Sequence, residues 1–192
     1  MPAQKQIFQR ASLVTPIGGL WVVSDRQGHI RACDFHDYEA RMLKLLGRHY
    51  PTGFELESEY ADTSTKQLLR CFEAYFEGET RALAALPVAT GGSEFQRDVW
   101  RGLREIPLGT TQTYGGLAER LGRPRAVRAV GLANGANPIA IVVPCHRVIG
   151  ASGALTGYAG GLARKRWLLQ HEGVSIDTPT RSGSLPFEGG RV

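Results

Sequence analysis

The chain has 192 residues, 42% of them hydrophobic, with three cysteines and a net charge of +5. That length supports one sizeable core or two small ones, and no apolar run approaches the ~20 residues that span a bilayer. The opening Met1-Pro2-Ala3-Gln4-Lys5-Gln6 lacks the apolar stretch of a signal peptide, and Cys33, Cys71 and Cys145 are widely spaced with no Cys-x-x-Cys pair. This points away from a disulfide framework or a zinc knuckle, toward reduced thiols in a cytoplasmic protein that does not enter membranes.

Strand formers at residues 7–14, 19–24 and 30–35, separated by Thr15-Pro16-Ile17-Gly18 and Asp25-Arg26-Gln27-Gly28, predict a three-stranded meander. Residues 37–49 place Leu43, Leu45 and Leu46 in a helical pattern stopped near Pro51, and residues 54–60 read as a short strand. Residues 63–76 set Leu68, Leu69, Phe72 and Phe76 on one helical stripe with Cys71 beside it, so Cys33 and Cys71 read as core residues. Residues 81–92, with Pro87 and Gly91-Gly92, read as an exposed connector. The expectation is an α+β chain of two domains, 1–87 and 88–173, followed by a Gly-, Ser- and Pro-rich flexible tail, 174–192.

The second unit is basic. Residues 93–172 carry 11 Lys or Arg against 5 Asp or Glu, ten of the 11 being Arg, whereas residues 1–92 carry 10 against 11. Such an excess suits a polyanion, and arginine suits phosphate; the plainer reading is a solubilising surface. Ser93 and Gln96 form a capping box ahead of Phe95, Val99, Leu103 and Ile106 at helical spacing. A short helix over 113–122, a turn at Arg123-Pro124 and a second helix over 125–134, ended by Gly135, then have helix-turn-helix form. Ala126, Ala129, Gly131 and Ala133 leave the second helix nearly bare around Arg128, which fits either close approach to a nucleic-acid backbone or tight packing inside the domain.

After Asn137-Pro138, the apolar run 139–143 reads as a buried strand that delivers Pro144-Cys145-His146-Arg147. Neighbouring side chains on a strand point to opposite faces, so Cys145 and His146 cooperate only through a turn or a bridging water. Pro144 and the glycines that follow supply a turn. A thiol attacks only as thiolate, and an imidazole that takes its proton provides one. Residues 146–156 read as a hairpin wing around Ala151-Ser152-Gly153, and residues 162–172 as a helix ending at Glu172. Tyr158, in Gly157-Tyr158-Ala159-Gly160-Gly161, suits stacking on a base or covering the core.

These segments, together with Asn137-Pro138-Ile139, Val148-Ile149-Gly150 and Trp167-Leu168-Leu169-Gln170-His171-Glu172-Gly173, resemble the signature of the methylated-DNA-protein-cysteine methyltransferases, or O6-alkylguanine-DNA alkyltransferases, of stand-alone bacterial type. The match is dense from Phe95 to Gly173 and loose before it. The resemblance implies a ribonuclease-H-like small sheet with helices, then a winged-helix-like helix-turn-helix domain. It implies direct-reversal repair, in which Cys145 irreversibly takes the alkyl group of O6-alkylguanine, and of O4-alkylthymine, from a base flipped through the minor groove. His146 then acts as base through a water, Glu172 orients it, Tyr114 assists the leaving purine and Asn137 holds the turn. Arg128 fills the vacated stack, with Thr113, Arg125, Ala126, Ala129 and Gly131 on the DNA, and Tyr158, Val148, Ala159 and Gly160 around the base. No cofactor is implied. The partner is double-stranded DNA holding the lesion, and also single-stranded DNA, met by a monomer with scope for cooperative binding.

The chain has Ala159 where some members have a hydroxyl, so the backbone N–H there must serve the base. His29, Cys33 and His36 make no convincing zinc set, so no metal is expected. A cysteine hydrolase would leave the arginine-bearing helix unexplained, and a regulator would not need Cys145. The nearest rival is a non-catalytic binder that flags alkylated DNA for other repair, against which Cys145 argues.

Overall fold

The computed structural model describes residues 5–57 and 63–176. β1 (Gln6–Thr15), β2 (Gly18–Ser24) and β3 (Ile30–Phe35) form the expected antiparallel meander, and β4 (Phe54–Glu57) joins β1 in parallel, giving the order β3-β2-β1-β4. Residues 58–60 of the expected last strand lie outside the described residues, as does 177–192 of the expected tail.

Alternation along β2 divides the apolar side chains between the two faces of the sheet. Val23 packs with Phe8, Ala32, Met42 and Leu46 beneath α1 (Glu39–His49). Leu20 and Val22 join Leu68, Phe72 and Tyr75 of α2 (Thr63–Phe76) in a larger core that continues without a break through Val99, Leu103, Val130, Ile139 and Cys145. The α2 stripe is rotated from the one expected: Tyr75 is buried, whereas Phe76 is only half-buried. Cys33 is fully enclosed and Cys71 half-buried beside the core.

Residues 81–92 are not the exposed connector that their composition suggested. Leu83 and Leu86 are buried, and Ile30 N–H donates to Pro87 O while Ala89 N–H donates to Ile30 O. The outer edge of β3 would otherwise leave its backbone groups unpaired, and burying them unpaired is costly. Further along the same edge, Cys33 N–H donates to Pro138 O and Ala140 N–H to Cys33 O. The first half of the chain thereby fixes the segment just before Cys145.

α3 (Glu94–Arg104) begins at the capping box, Ser93 Oγ accepting from Gln96 N–H and Gln96 Oε1 from Ser93 N–H. β5 (Gln112–Thr113) leads into α4 (Tyr114–Arg120), and a 3-10 turn at Pro124–Ala126 leads into α5 (Val127–Gly135). Ala133 belongs to the inner face of α5, not the bare one: it is buried, and its carbonyl accepts from Trp100 Nε1 at 2.9 Å.

The run 139–143 is buried throughout but is not a strand. Ile139 makes one bridge to Cys33, then the chain turns, with Ile141 at φ 70°. A β-branched residue in the left-handed region is strained by about 1–3 kcal/mol and persists only when its surroundings hold it. The expected hairpin also differs. A turn forms at residues 150–154, where Gly150 N–H donates to Ala154 O, but no return strand follows, and β6 (Val148–Ile149) pairs in parallel with β5. α6 (Leu162–His171) packs against the segment Cys145–Arg147. Among the described residues, no helix is long and apolar enough to cross a membrane.

Candidate active site

Asn137 organises the turn that carries the thiol. Its Nδ2 donates to Val143 O at 2.8 Å and to Ile139 O at 3.3 Å, and its Oδ1 accepts from Ile139 N–H at 3.0 Å. These bonds close the loop around Ile141 and compensate its backbone strain. From the first half of the chain, Arg41 adds a second hold: Nη2 donates to Gly135 O and Asn137 O, while Nη1 binds the buried Asp34 at 2.5 Å. The end of α5 and the start of the turn are thus fastened together.

Cys145 opens a 3-10 turn, Cys145–Arg147, that places the next side chain on a course no strand would allow. Burial pushes its thiol pKa up, opposed by the nearby Asn137 amide and the charges of Arg41 and Lys165. The resting sulfur therefore keeps its proton at neutral pH, and attack needs a base.

His146 is fully buried, and burial pushes its pKa below the ordinary value against the pull of Glu172. Its Nε2 lies 3.0 Å from Glu172 Oε1. Burial raises the carboxyl pKa, but His146 and Arg147 outweigh it and bring it down to about 2, so Glu172 is an ionised acceptor and the proton of the neutral imidazole sits on Nε2. That leaves the lone pair on Nδ1, which makes no hydrogen bond to a described residue. The arrangement is a buried proton acceptor one residue from a buried thiol.

Three further donors hold Glu172. Arg147 contributes Nε to Oε2 at 2.7 Å and Nη2 to Oε1 at 3.0 Å, and Tyr75 OH donates to Oε1 at 3.0 Å. Burial and the adjacent carboxylate push the Tyr75 phenol well up, so it remains a donor. Neither residue was singled out from the sequence. Arg147 lies inside the Pro-Cys-His-Arg motif, which could have drawn attention to it, whereas Tyr75 offers only its place three residues beyond Phe72.

Lys165 was also missed as anything but a basic residue. It is fully buried, with Nζ donating to Val148 O at 2.5 Å and Thr156 O at 2.7 Å, and burial lowers its pKa to about 8. The Val148 carbonyl, expected near the base, therefore already serves one donor.

Tyr114 is half-buried at the start of α4; burial raises its pKa, and the nearby Thr156 and Asn134 side chains oppose the rise. Gly157 stands over its hydroxyl and Gly131 beside its ring, close enough that an added Cβ would touch each at 3.5 and 3.8 Å. Tyr158 meets His146 edge-on at 6.4 Å between ring centres, and Gly161 N–H donates to Tyr158 O. The amides of Ala159 and Gly160 donate to no described residue.

The expected DNA-contacting residues lie on or beside the helix-turn-helix. Arg125, Arg128 and Ala129 are exposed, Ala126 and Gly131 half-exposed, and Thr113 caps α4, its Oγ1 accepting from Gly116 N–H at 3.0 Å. Leu132, one turn beyond Arg128, is 76% exposed, which the sequence reading had not noticed. Of the residues weighed for zinc, His29 engages Asp25, His36 engages Ser12, and Cys33 is enclosed in the core.

Two family models match the chain: the 6-O-methylguanine DNA methyltransferase ribonuclease-like domain over residues 10–90 and the DNA binding domain of the same family over residues 94–174. A methylated-DNA-protein-cysteine methyltransferase of Shigella flexneri is 53% identical over 165 residues, 85% of this chain and 95% of the relative. One from Methanosarcina acetivorans is 44% identical over 159 residues, 83% and 94% of the two chains. Among solved structures, Mycobacterium tuberculosis OGT in complex with DNA superposes with a TM-score of 0.69 at 37% identity, covering 87% of this chain and 92% of that one.

Proposed function

Since this chain belongs to the 6-O-methylguanine DNA methyltransferase family, we propose that it repairs alkylated DNA by moving the alkyl group from guanine O6 to Cys145. The observation that carries this reading is the buried Cys145, followed by a neutral His146 whose Nε2–H is committed to Glu172 and whose Nδ1 has no partner among the described residues. A water between thiol and imidazole relays the proton to Nδ1, and Glu172 stabilises the imidazolium that results. The thiolate then attacks the alkyl carbon. A C–S bond forms, the C–O bond breaks, and its electron pair returns to the purine, to which the Tyr114 hydroxyl donates a hydrogen bond or proton.

O6 in a stacked guanine is out of reach of this enclosed thiol, so the nucleotide leaves the helix and Arg128 occupies its place. Small residues at Ala126, Ala129 and Gly131 let α5 approach the minor groove, while Arg125 and the Thr113 hydroxyl meet phosphates. The Tyr158 ring, the second lone pair of the Val148 carbonyl and the amides of Ala159 and Gly160 receive the base. O4-alkylthymine presents a similar alkyl ether and is a second substrate. The protein acts in the cytoplasm as a monomer on double-stranded and single-stranded DNA, with phosphate-driven binding and scope for cooperativity.

Incubation with a duplex carrying one O6-methylguanine labelled in the methyl group tests the reading. The label moves to the protein and leaves guanine in the duplex, whereas Cys145→Ala binds the duplex and takes no label. A wild-type chain that binds the lesion and leaves the label in place would instead be the non-catalytic binder.

A further inference from the structure

Arg164, in the first turn of α6, joins three segments that hold none of the reacting groups. Its Nε donates to Ile17 O at 2.8 Å, and its Nη1 donates both to Asp37 Oδ2 at 2.9 Å and to Gly160 O at 3.2 Å. The guanidinium carbon lies 4.1 Å from the centre of the Phe35 ring, a cation–π distance. A Cβ on Gly18 would come within 2.9 Å of Arg164 Nη2, so the turn between β1 and β2 is fitted to this side chain.

Phe35 and Tyr158 also enclose the loop directly. A Cβ on Gly160 would stand 2.9 Å from Phe35 and 2.8 Å from Tyr158, which leaves room only for bare backbone. Gly160-Gly161 is the part of the loop with the most conformational freedom, and Gly161 sits at φ 89°. The bond from Arg164 to Gly160 O sets the peptide plane between the two glycines. With Gly161 N–H already on Tyr158 O, the turn that presents the Ala159 and Gly160 amides is tied at both of its ends.

We propose that Arg164 is a positioning residue for base recognition: anchored on Ile17, Asp37 and Phe35, it holds the Tyr158–Gly160 loop with its free amides turned to the purine. This rests on the alkyl-transfer reading above and gives the first half of the chain a part in substrate recognition. The role needs a planar fork. A lysine keeps the charge over Phe35 but cannot serve three acceptors in fixed directions.

The test uses the full chain under single-turnover conditions, with free O6-benzylguanine base over a concentration series. Arg164→Met raises the half-saturating base concentration about tenfold, the scale of one lost charge-assisted hydrogen bond, and changes the saturated rate constant less than about twofold. Arg164→Lys recovers only part of that loss. Asp37→Asn, which alters an exposed partner and spares the packing, raises the same parameter about two- to threefold, a surface-pair effect, and decides the matter if Arg164→Met does not fold. Unchanged half-saturation in the folded variants, or a fall confined to the saturated rate, overturns the proposal. A wild-type chain that takes no alkyl group from either base or duplex overturns the functional reading, and this proposal with it.

Discussion

Tyr75 and Glu172, 97 residues apart, meet through a 3.0 Å hydrogen bond in the buried core, so a helix of the first half supports the carboxylate that orients His146. Tyr75→Phe removes that donor and leaves the aromatic packing intact. The expected cost is about 1.5–3 kcal/mol of stability, the range for a hydrogen bond to a charged group, measurable by urea denaturation. Transfer should slow less than in Glu172→Gln, which also leaves the Arg147 guanidinium without its counter-charge. A Tyr75→Phe chain of unchanged stability would show that Arg147 alone suffices to hold the carboxylate.

The same cluster sets a pH dependence. Glu172 titrates near 2 in the folded chain against an ordinary 4.5, so its stabilisation is complete above about 4.5 and is lost as pH falls toward 2. His146, pushed below its ordinary 6.5, works in the same direction, because below 6.5 the unfolded chain takes up a proton that the folded site resists. Stability should therefore decline from near pH 6 downward, with a shallower decline below pH 4.5 in Glu172→Gln. The acid limb of the transfer rate should have its midpoint below 6.5, since the base is the neutral imidazole. A midpoint above 6.5 would contradict the assigned protonation state.

Asn137→Ala removes the bonds that hold the turn around Ile141 and leaves two buried carbonyls, Ile139 O and Val143 O, without that donor. A loss of about 2–4 kcal/mol is expected, together with transfer slowed well beyond what the unfolded fraction explains, because Cys145 loses its fixed position. Denaturation and single-turnover rates on the same preparation check both. Transfer at the wild-type rate in the folded fraction would remove Asn137 from the positioning role.

The contrast between residues 30–35 and 139–143 shows what the sequence could reveal. Both are short, largely buried segments, and residues 30–35, which include Arg31 and Asp34, form a strand as expected from their strand formers and the turn before them. Residues 139–143 carry equally good strand formers, but the side chain of Asn137 supplies bonds that another strand would have given, and Ile141 pays in backbone strain. Local composition cannot register a side chain that competes for the backbone. Cys145, His146, Glu172 and Tyr114 were visible because linked motifs carry them. Tyr75, Lys165 and Arg164 were not, because each matters through contacts to distant segments that leave no local spacing.

Arg128 is exposed on α5, with Ala129 beside it, and it forms no salt bridge with a described residue. If it fills the space left by an extruded nucleotide, Arg128→Ala should slow transfer from duplex DNA at least tenfold more than transfer from the free base, which needs no unstacking. Parallel single-turnover assays on the two substrates give the ratio. Equal losses on both would assign Arg128 to general binding.

The chemistry at Cys145 amounts to a single irreversible transfer to one sulfur. A thioether is not cleaved by the groups around Cys145, and of the other two cysteines Cys33 is enclosed in the core and Cys71 half-buried on α2. Intact-mass and peptide-mass measurement after reaction with excess O6-methylguanine duplex tests this most directly. One added methyl group per chain is expected, located on the peptide containing Cys145, with product formation that stops at that ratio; continued turnover, or a methyl group on Cys33 or Cys71, would rule out single transfer to Cys145.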